Sequence, residues 1–244
     1  MHGPDALHML RVLRMSEGDA FVALDGSGTA WVAEIVSCNL PEAARGRRGH
    51  PGEGASVTGR ITGEAGLAPE PSCKVTLYQS IPKGDKMEFI IQKCTEVGVH
   101  SIVPVVSERT VVHLGDRVEN RVERWRRIAR EAAEQCGRRV IPEVAGVSAL
   151  GDVTPGPGSA LFILWENAGG ERRLLEALDM DSRDSGGGRV GVVVGPEGGL
   201  SDREVDSLRA RGGICVSLGP RTLRTETAGM IATALILSHY GDLG

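Results

Sequence analysis

The segment Arg189–Val194, RVGVVV, is the strongest constraint on what this chain can fold into. After its arginine it shows no alternation of polar and apolar positions. A strand of that kind is covered on both faces, which places it in a parallel sheet between layers of helix. It runs directly into Gly195-Pro196-Glu197-Gly198-Gly199, and a helix then opens with Ser201 at the N-cap and Glu204 three residues on, a capping box. Strand, glycine loop and helix in succession is the repeating unit of an α/β fold. Ligands of such folds bind beyond the carboxyl ends of the strands, so the loop at 195–199 is the first candidate site.

The same alternation runs from Cys73 onward. Strands are predicted at 75–79, 101–106, 160–165 and 214–218, and helices at 83–97, 118–136, 171–178, 200–211 and 225–240, with Gly98 stopping the first helix. The first seventy residues read differently, as short strands at 20–24, 30–37 and 55–61 with turns at Asp25-Gly26 and Pro51-Gly52. A small β-barrel fits them better than a helical module. Residues 40–54, with Arg45, Arg47 and Arg48, read as a solvated loop, and GEAGLAPEP at 63–71 as a linker, with a domain boundary near Ser72.

Composition excludes several classes. With 41% hydrophobic and 25% charged residues among 244, the chain is neither disordered nor collagen-like. No apolar run reaches the roughly 18 residues of a membrane span, and the N-terminus does not read as a signal peptide. Five scattered cysteines without a CxxC argue against a disulfide framework or a zinc site and point to the cytosol. The six histidines form no metal-ligand spacing, so no metal is expected. The net charge of −4 divides as −3, +4 and −5 over residues 1–72, 73–142 and 143–244. In the positive middle segment most arginines alternate with glutamates at helical spacing, consistent with i to i+4 pairing. Arg138 and Arg139, after Gly137, lack such neighbours and are the better candidates for an anionic ligand.

The first loop is not a dinucleotide fingerprint, because Glu197 stands where a pyrophosphate would lie. A carboxylate there suits a ligand with hydroxyls or positive charge, and S-adenosylmethionine carries both. The second loop, LGPRTLRTETA at 218–228, again follows a strand. Arg221 and Arg224 lie just before a helix start, where a cation gains nothing from the helix dipole, so they read as aimed at a substrate. Thr225 is the expected cap and Glu226 sits in the first turn.

Together, GPEGGLSDREV and LGPRTLRTETA closely resemble the signature of the small-subunit ribosomal RNA uridine-N3 methyltransferase family, one of the trefoil-knotted SPOUT methyltransferases. KGDKMEFIIQKCTEVGV, IVPVVSERTVV, REAAEQCGRRVIP and HMLRVLRMSEGD extend the resemblance over nearly the whole chain. It implies an α/β architecture: a PUA-like, RNA-binding β-barrel over 1–72, and over 73–244 a SPOUT domain with a mostly parallel sheet and a C-terminal knot. It further implies a cytoplasmic homodimer that uses S-adenosylmethionine to methylate N3 of a uridine in 16S rRNA of the small subunit. The implied cofactor residues are Trp165, Gly195, Pro196, Glu197, Gly198, Gly199, Leu218, Gly219, Leu223, Arg224 and Thr225. For the chemistry itself the expected catalytic residues are Arg221, Arg224 and Glu226: Arg221 or Arg224 to stabilise charge developing on O2 or O4, and Glu226 or Glu197 to accept the N3 proton. Arg11, Arg14, Arg109, Gln135 and Arg138 are the implied RNA contacts. Family members begin with a further strand where this chain has MHGPDA, so that strand is expected to be missing or replaced. A knotted methyltransferase of tRNA ribose hydroxyls and a non-catalytic ribosome-assembly factor are the alternatives.

Overall fold

The structure is a computed structural model that describes residues 1–24, 28–41, 54–111, 118–165, 172–180 and 188–243. The chain divides into two compact units, Met1–Ala68 and Pro69–Gly244. The predicted turns at Asp25-Gly26 and Pro51-Gly52 and the arginines at 45, 47 and 48 lie outside the described residues.

The first unit opens with a short helix that the sequence reading did not anticipate. Pro4 fits the first turn, where no amide donor is needed, and α1 (Pro4–Leu7) continues into a π-helical turn at His8–Val12. Strands β1 (Ala20–Leu24), β2 (Ala30–Asn39) and β3 (Ser56–Glu64) form an antiparallel sheet in that order. Ala6, Met9, Ile35, Ala55 and Val57 make its core. The segment MHGPDA supplies one bridge to this sheet: His2 pairs antiparallel with Ser56, and Met1 and Val57 exchange hydrogen bonds. The expected linker begins as structure, since β3 runs to Glu64 and the Ala65 amide donates to Ala30 O.

In the second unit β4 (Lys74–Ser80) is followed by α2 (Lys86–Val97), β5 (Ser101–Val106), α3 (Val118–Cys136), and two short strands the sequence did not signal, β6 (Glu143–Val144) and β7 (Ser148–Ala149). Then come β8 (Ser159–Leu164), α4 (Leu174–Asp179), β9 (Arg189–Val194), α5 (Asp202–Ala210), β10 (Ile214–Val216) and α6 (Thr225–His239). Every described pairing in the sheet is parallel, in the order β10-β8-β9-β4-β5-β6, with β7 also on β5. Successive residues of a strand face opposite ways. Val192 and Val194 therefore enter one core with Leu77, Phe162, Ile90 and Ala232, while Val193 enters the other with Ile163, Val205 and Leu208. This is the two-sided burial that the run at 189–194 demanded.

Three local expectations are corrected. The helix predicted from Lys83 starts at Lys86, because Gly84 takes φ +64° and turns the chain first. Arg224, not Thr225, occupies the N-cap of α6 and gives no side-chain cap. In α3 the described arginine partners lie off the helix: Arg124 pairs with Glu88 of α2, and Arg126 Nε donates to Val144 O. Gly98 ends α2 in the left-handed region, and Ser201 and Glu204 form their capping box, both as read from sequence.

Candidate active site

Adjacency of β8, β9 and β10 brings their carboxyl ends together, and the chain leaving each strand walls a cavity of about 400 Å³. Leu164 and Trp165 come from the first, Gly195–Glu197 and Gly199 from the second, and Ser217–Glu226 from the third; Lys86 joins them from the start of α2. Gly195 is required by close approach, since a Cβ there would stand 3.0 Å from the Gly199 carbonyl carbon and 3.1 Å from the Leu200 nitrogen.

A buried polar chain ties the two glycine loops together. Thr225 Oγ1 donates to Gly195 O at 2.7 Å and accepts from Gln79 Nε2 at 2.9 Å. Gln79 is fully buried at the end of β4 and also donates to Ser80 O. Thr225 thus lines the cavity, but its hydroxyl is spent on the protein rather than offered to a ligand.

The expected free carboxylate at Glu197 has partners as well. Lys86 Nζ lies 2.9 Å from its Oε1, and the Lys83 amide donates to both oxygens at 3.1 and 3.3 Å. Burial alone would raise the Glu197 pKa, yet these hydrogen bonds outweigh it and hold the carboxyl below its usual range. Lys86 is pushed up, chiefly by its hydrogen bond to Glu197, against a smaller opposing effect of burial, with the charges of Glu197 and Glu226 adding to the rise. Glu226 Oε2 lies 3.5 Å from the same ammonium, and Glu226 Oε1 lies 3.9 Å from Arg224 Nη1. Arg221 and Arg224 are exposed at the cavity, the Arg224 side chain to 84%.

Gly219, Leu218, Leu223 and Pro196 line the cavity as well, whereas Gly198 does not. Gly198 O instead accepts from Arg109 Nη1 at 2.7 Å, so an arginine expected at RNA holds the first glycine loop. Arg138 also departs from expectation. It turns inward, with Nη2 2.6 Å from Glu70 Oε2 and Nη1 donating to Val99 O and Thr95 O. The same carboxylate accepts the amides of Arg139 and Val140. Gln135 is exposed at the end of α3, and Arg11 and Arg14 are exposed in the first unit. No group of three or more metal-ligating side chains occurs among the described residues, and no described helix is long and apolar enough to cross a membrane.

Sequence reasoning did not single out Gln79 or Lys86. Both belong to the β4–α2 segment, far in sequence from the loops they touch, and no spacing rule joins them. Two enclosed polar atoms on residues of the cavity lining make no hydrogen bond among the described residues, Trp165 Nε1 and Glu226 Oε2, and the second has the Lys86 ammonium 3.5 Å away. Of the two, the carboxylate has its counter-charge in Lys86, and the indole N–H is the donor left without an acceptor.

These features define a pair of glycine loops over parallel strand ends, and comparison with known proteins places it: the chain belongs to the RNA methyltransferase family. The family model described as RNA methyltransferase domain matches residues 69–237, and RNA methyltransferase PUA domain matches residues 3–39. The chain is 32% identical to ribosomal RNA small subunit methyltransferase E of Bacillus subtilis, over 96% of this chain and 87% of that protein. It is 35% identical to the protein of that name from Synechocystis, over 94% and 70%. The solved Neisseria gonorrhoeae enzyme of the same name, bound to S-adenosyl methionine, superposes with a TM-score of 0.80 at 31% identity, covering 97% and 90% of the two chains.

Proposed function

We propose that this protein transfers a methyl group from S-adenosylmethionine to N3 of a uridine in 16S rRNA of the small ribosomal subunit. The observation that carries the reading is one loop-to-helix turn, 218–226, which lines the cavity, exposes Arg221 and Arg224 there, and sets Arg224 3.9 Å from the Glu226 carboxylate. The relatives' names support small-subunit rRNA as substrate, and the bound ligand of the Neisseria structure supports the cofactor. The unpartnered Trp165 N–H supports a ligand that carries hydrogen-bond acceptors.

S-adenosylmethionine, when bound, supplies an electrophilic methyl group on its sulfonium. Everything else falls to the protein. Uridine N3 carries a proton and is a poor nucleophile until it leaves, and its edge is hidden in a duplex, so the base must be single-stranded or flipped out. Arg221 and Arg224 stabilise the negative charge that spreads onto O2 and O4 as that proton departs. Glu226, as a carboxylate, accepts it; neither arginine serves, since a guanidinium stays protonated. The loops hold cofactor and base in line, and orientation supplies much of the acceleration.

In this reading Gln135, Arg11 and Arg14 meet the RNA, and the protein works in the cytoplasm as a homodimer. Nucleoside mass spectrometry of 16S rRNA from cells lacking the gene tests the central statement. Loss of 3-methyluridine, restored by the gene in trans, is the expected result; its retention refutes the assignment. Calorimetric titration with S-adenosylmethionine tests the cofactor separately, and light scattering in solution tests the dimer.

A further inference from the structure

Lys86 reaches the cavity from an element that forms none of its loops. It opens α2, with Nζ 2.9 Å from Glu197 Oε1 and 3.5 Å from Glu226 Oε2. Its first partner is itself fixed, because Glu197 accepts the Lys83 amide on both oxygens. Its second is not: Glu226 Oε2 is enclosed and accepts no hydrogen bond, and the ion-pair partner of Glu226 Oε1 among the described residues is the exposed Arg224 at 3.9 Å. Arg224 cannot both restrain that carboxylate and turn to a substrate. Two like charges against one cavity wall would also push apart without a cation between them.

We propose that Lys86 is a positioning residue for methyl transfer: anchored on Glu197, its ammonium holds the Glu226 carboxylate where it receives the uridine proton while Arg224 engages the base. The inference rests on the reading of Glu226 as proton acceptor. Lys86 acts through Glu226, touching neither reacting atom, so its removal misplaces a catalytic group without emptying the cavity.

The test uses the full-length protein, small subunits from cells lacking the gene, and S-adenosylmethionine. Lys86→Met is expected to lower kcat by about 10- to 100-fold, the cost of a misplaced catalytic group, with cofactor Kd and thermal unfolding nearly unchanged. Lys86→Arg, which keeps the cation, should recover most of the rate. Glu197→Gln should lower kcat too, and the double variant with Lys86→Met should fall no further than Lys86→Met alone, because both changes disable one tie. An unchanged kcat in Lys86→Met beside an inactive Glu226→Gln overturns this inference and leaves the proton acceptor standing. So does a loss of cofactor affinity that accounts for the whole loss of rate. A fully active Glu226→Gln instead removes the acceptor itself, and the role of Lys86 with it.

Discussion

Arg224 and Arg138 start from the same chemistry and end in opposite states. Both follow glycine-containing turns at the edge of a helix, and among the described residues neither has an ion pair at helical spacing, Arg138 turning to Glu70 rather than to Glu134 four positions before it. Arg224 keeps a side chain 84% exposed at the mouth of the cavity, with one carboxylate 3.9 Å away. Arg138 is 10% exposed and donates to Glu70 and to two backbone carbonyls. The difference lies in what the fold delivers to each: Glu70, distant in sequence, arrives at the end of α3, and among the described residues nothing comparable arrives at 221–224. An unpaired arginine in a sequence is therefore a question about the tertiary structure, and here one became an exposed charge at the cavity and the other a clamp.

Substitutions separate the two states. Arg224→Ala should cut methylation of small subunits by about 100- to 1,000-fold, the usual loss when one preorganised donor is removed, while cofactor affinity stays nearly constant. An undiminished rate would erase the contrast. Arg138→Ala should leave kcat nearly unchanged where the protein is folded, but lower stability by about 2–3 kcal/mol in chemical denaturation, because a largely buried carboxylate loses its partner. A selective loss of RNA affinity with unchanged stability would return Arg138 to the substrate side.

Between these extremes lies Thr225→Val, which strips partners from Gly195 O and Gln79 Nε2 and should cost about 1–3 kcal/mol while weakening cofactor binding. Thr225→Ser, keeping the hydroxyl, should restore both. The smallest effect belongs to the Glu197–Lys86 pair. The Glu197 carboxyl is lowered from its ordinary 4.5, so its stabilisation is present above that pH and is lost as pH falls through the lowered value. Lys86 is raised from 10.5, so its contribution is complete below that pH and is lost only as pH rises through the raised value. The pair is intact at neutral pH. Glu197→Gln should flatten the acid side of a melting-temperature profile with little change at pH 7, since a partly exposed pair contributes little.

Much of the α/β unit was legible because each signal was local. The burial of 189–194, the stop at Gly98 and the capping box at Ser201 and Glu204 follow from neighbouring residues, and all appear where read. The short helix at Pro4–Leu7 was missed because four residues give no periodicity, and β6 and β7 because two residues show no alternation. In the candidate site the two glycine loops were legible, but their fastening was not. Gln79 meets Thr225, Lys86 meets Glu197, and Arg109 meets Gly198 across 146, 111 and 89 positions.

By itself, then, the sequence determined a parallel sheet with helices on both faces, two glycine loops at its strand ends, and an arginine-rich turn at the second loop. These follow from hydrophobic pattern, turn chemistry and capping, which act over a few residues. Only the tertiary structure decided which charges remain available. Whether a guanidinium or carboxylate faces a cavity or a partner depends on groups brought within about 3 Å by folding, and no pattern along the chain encodes that distance.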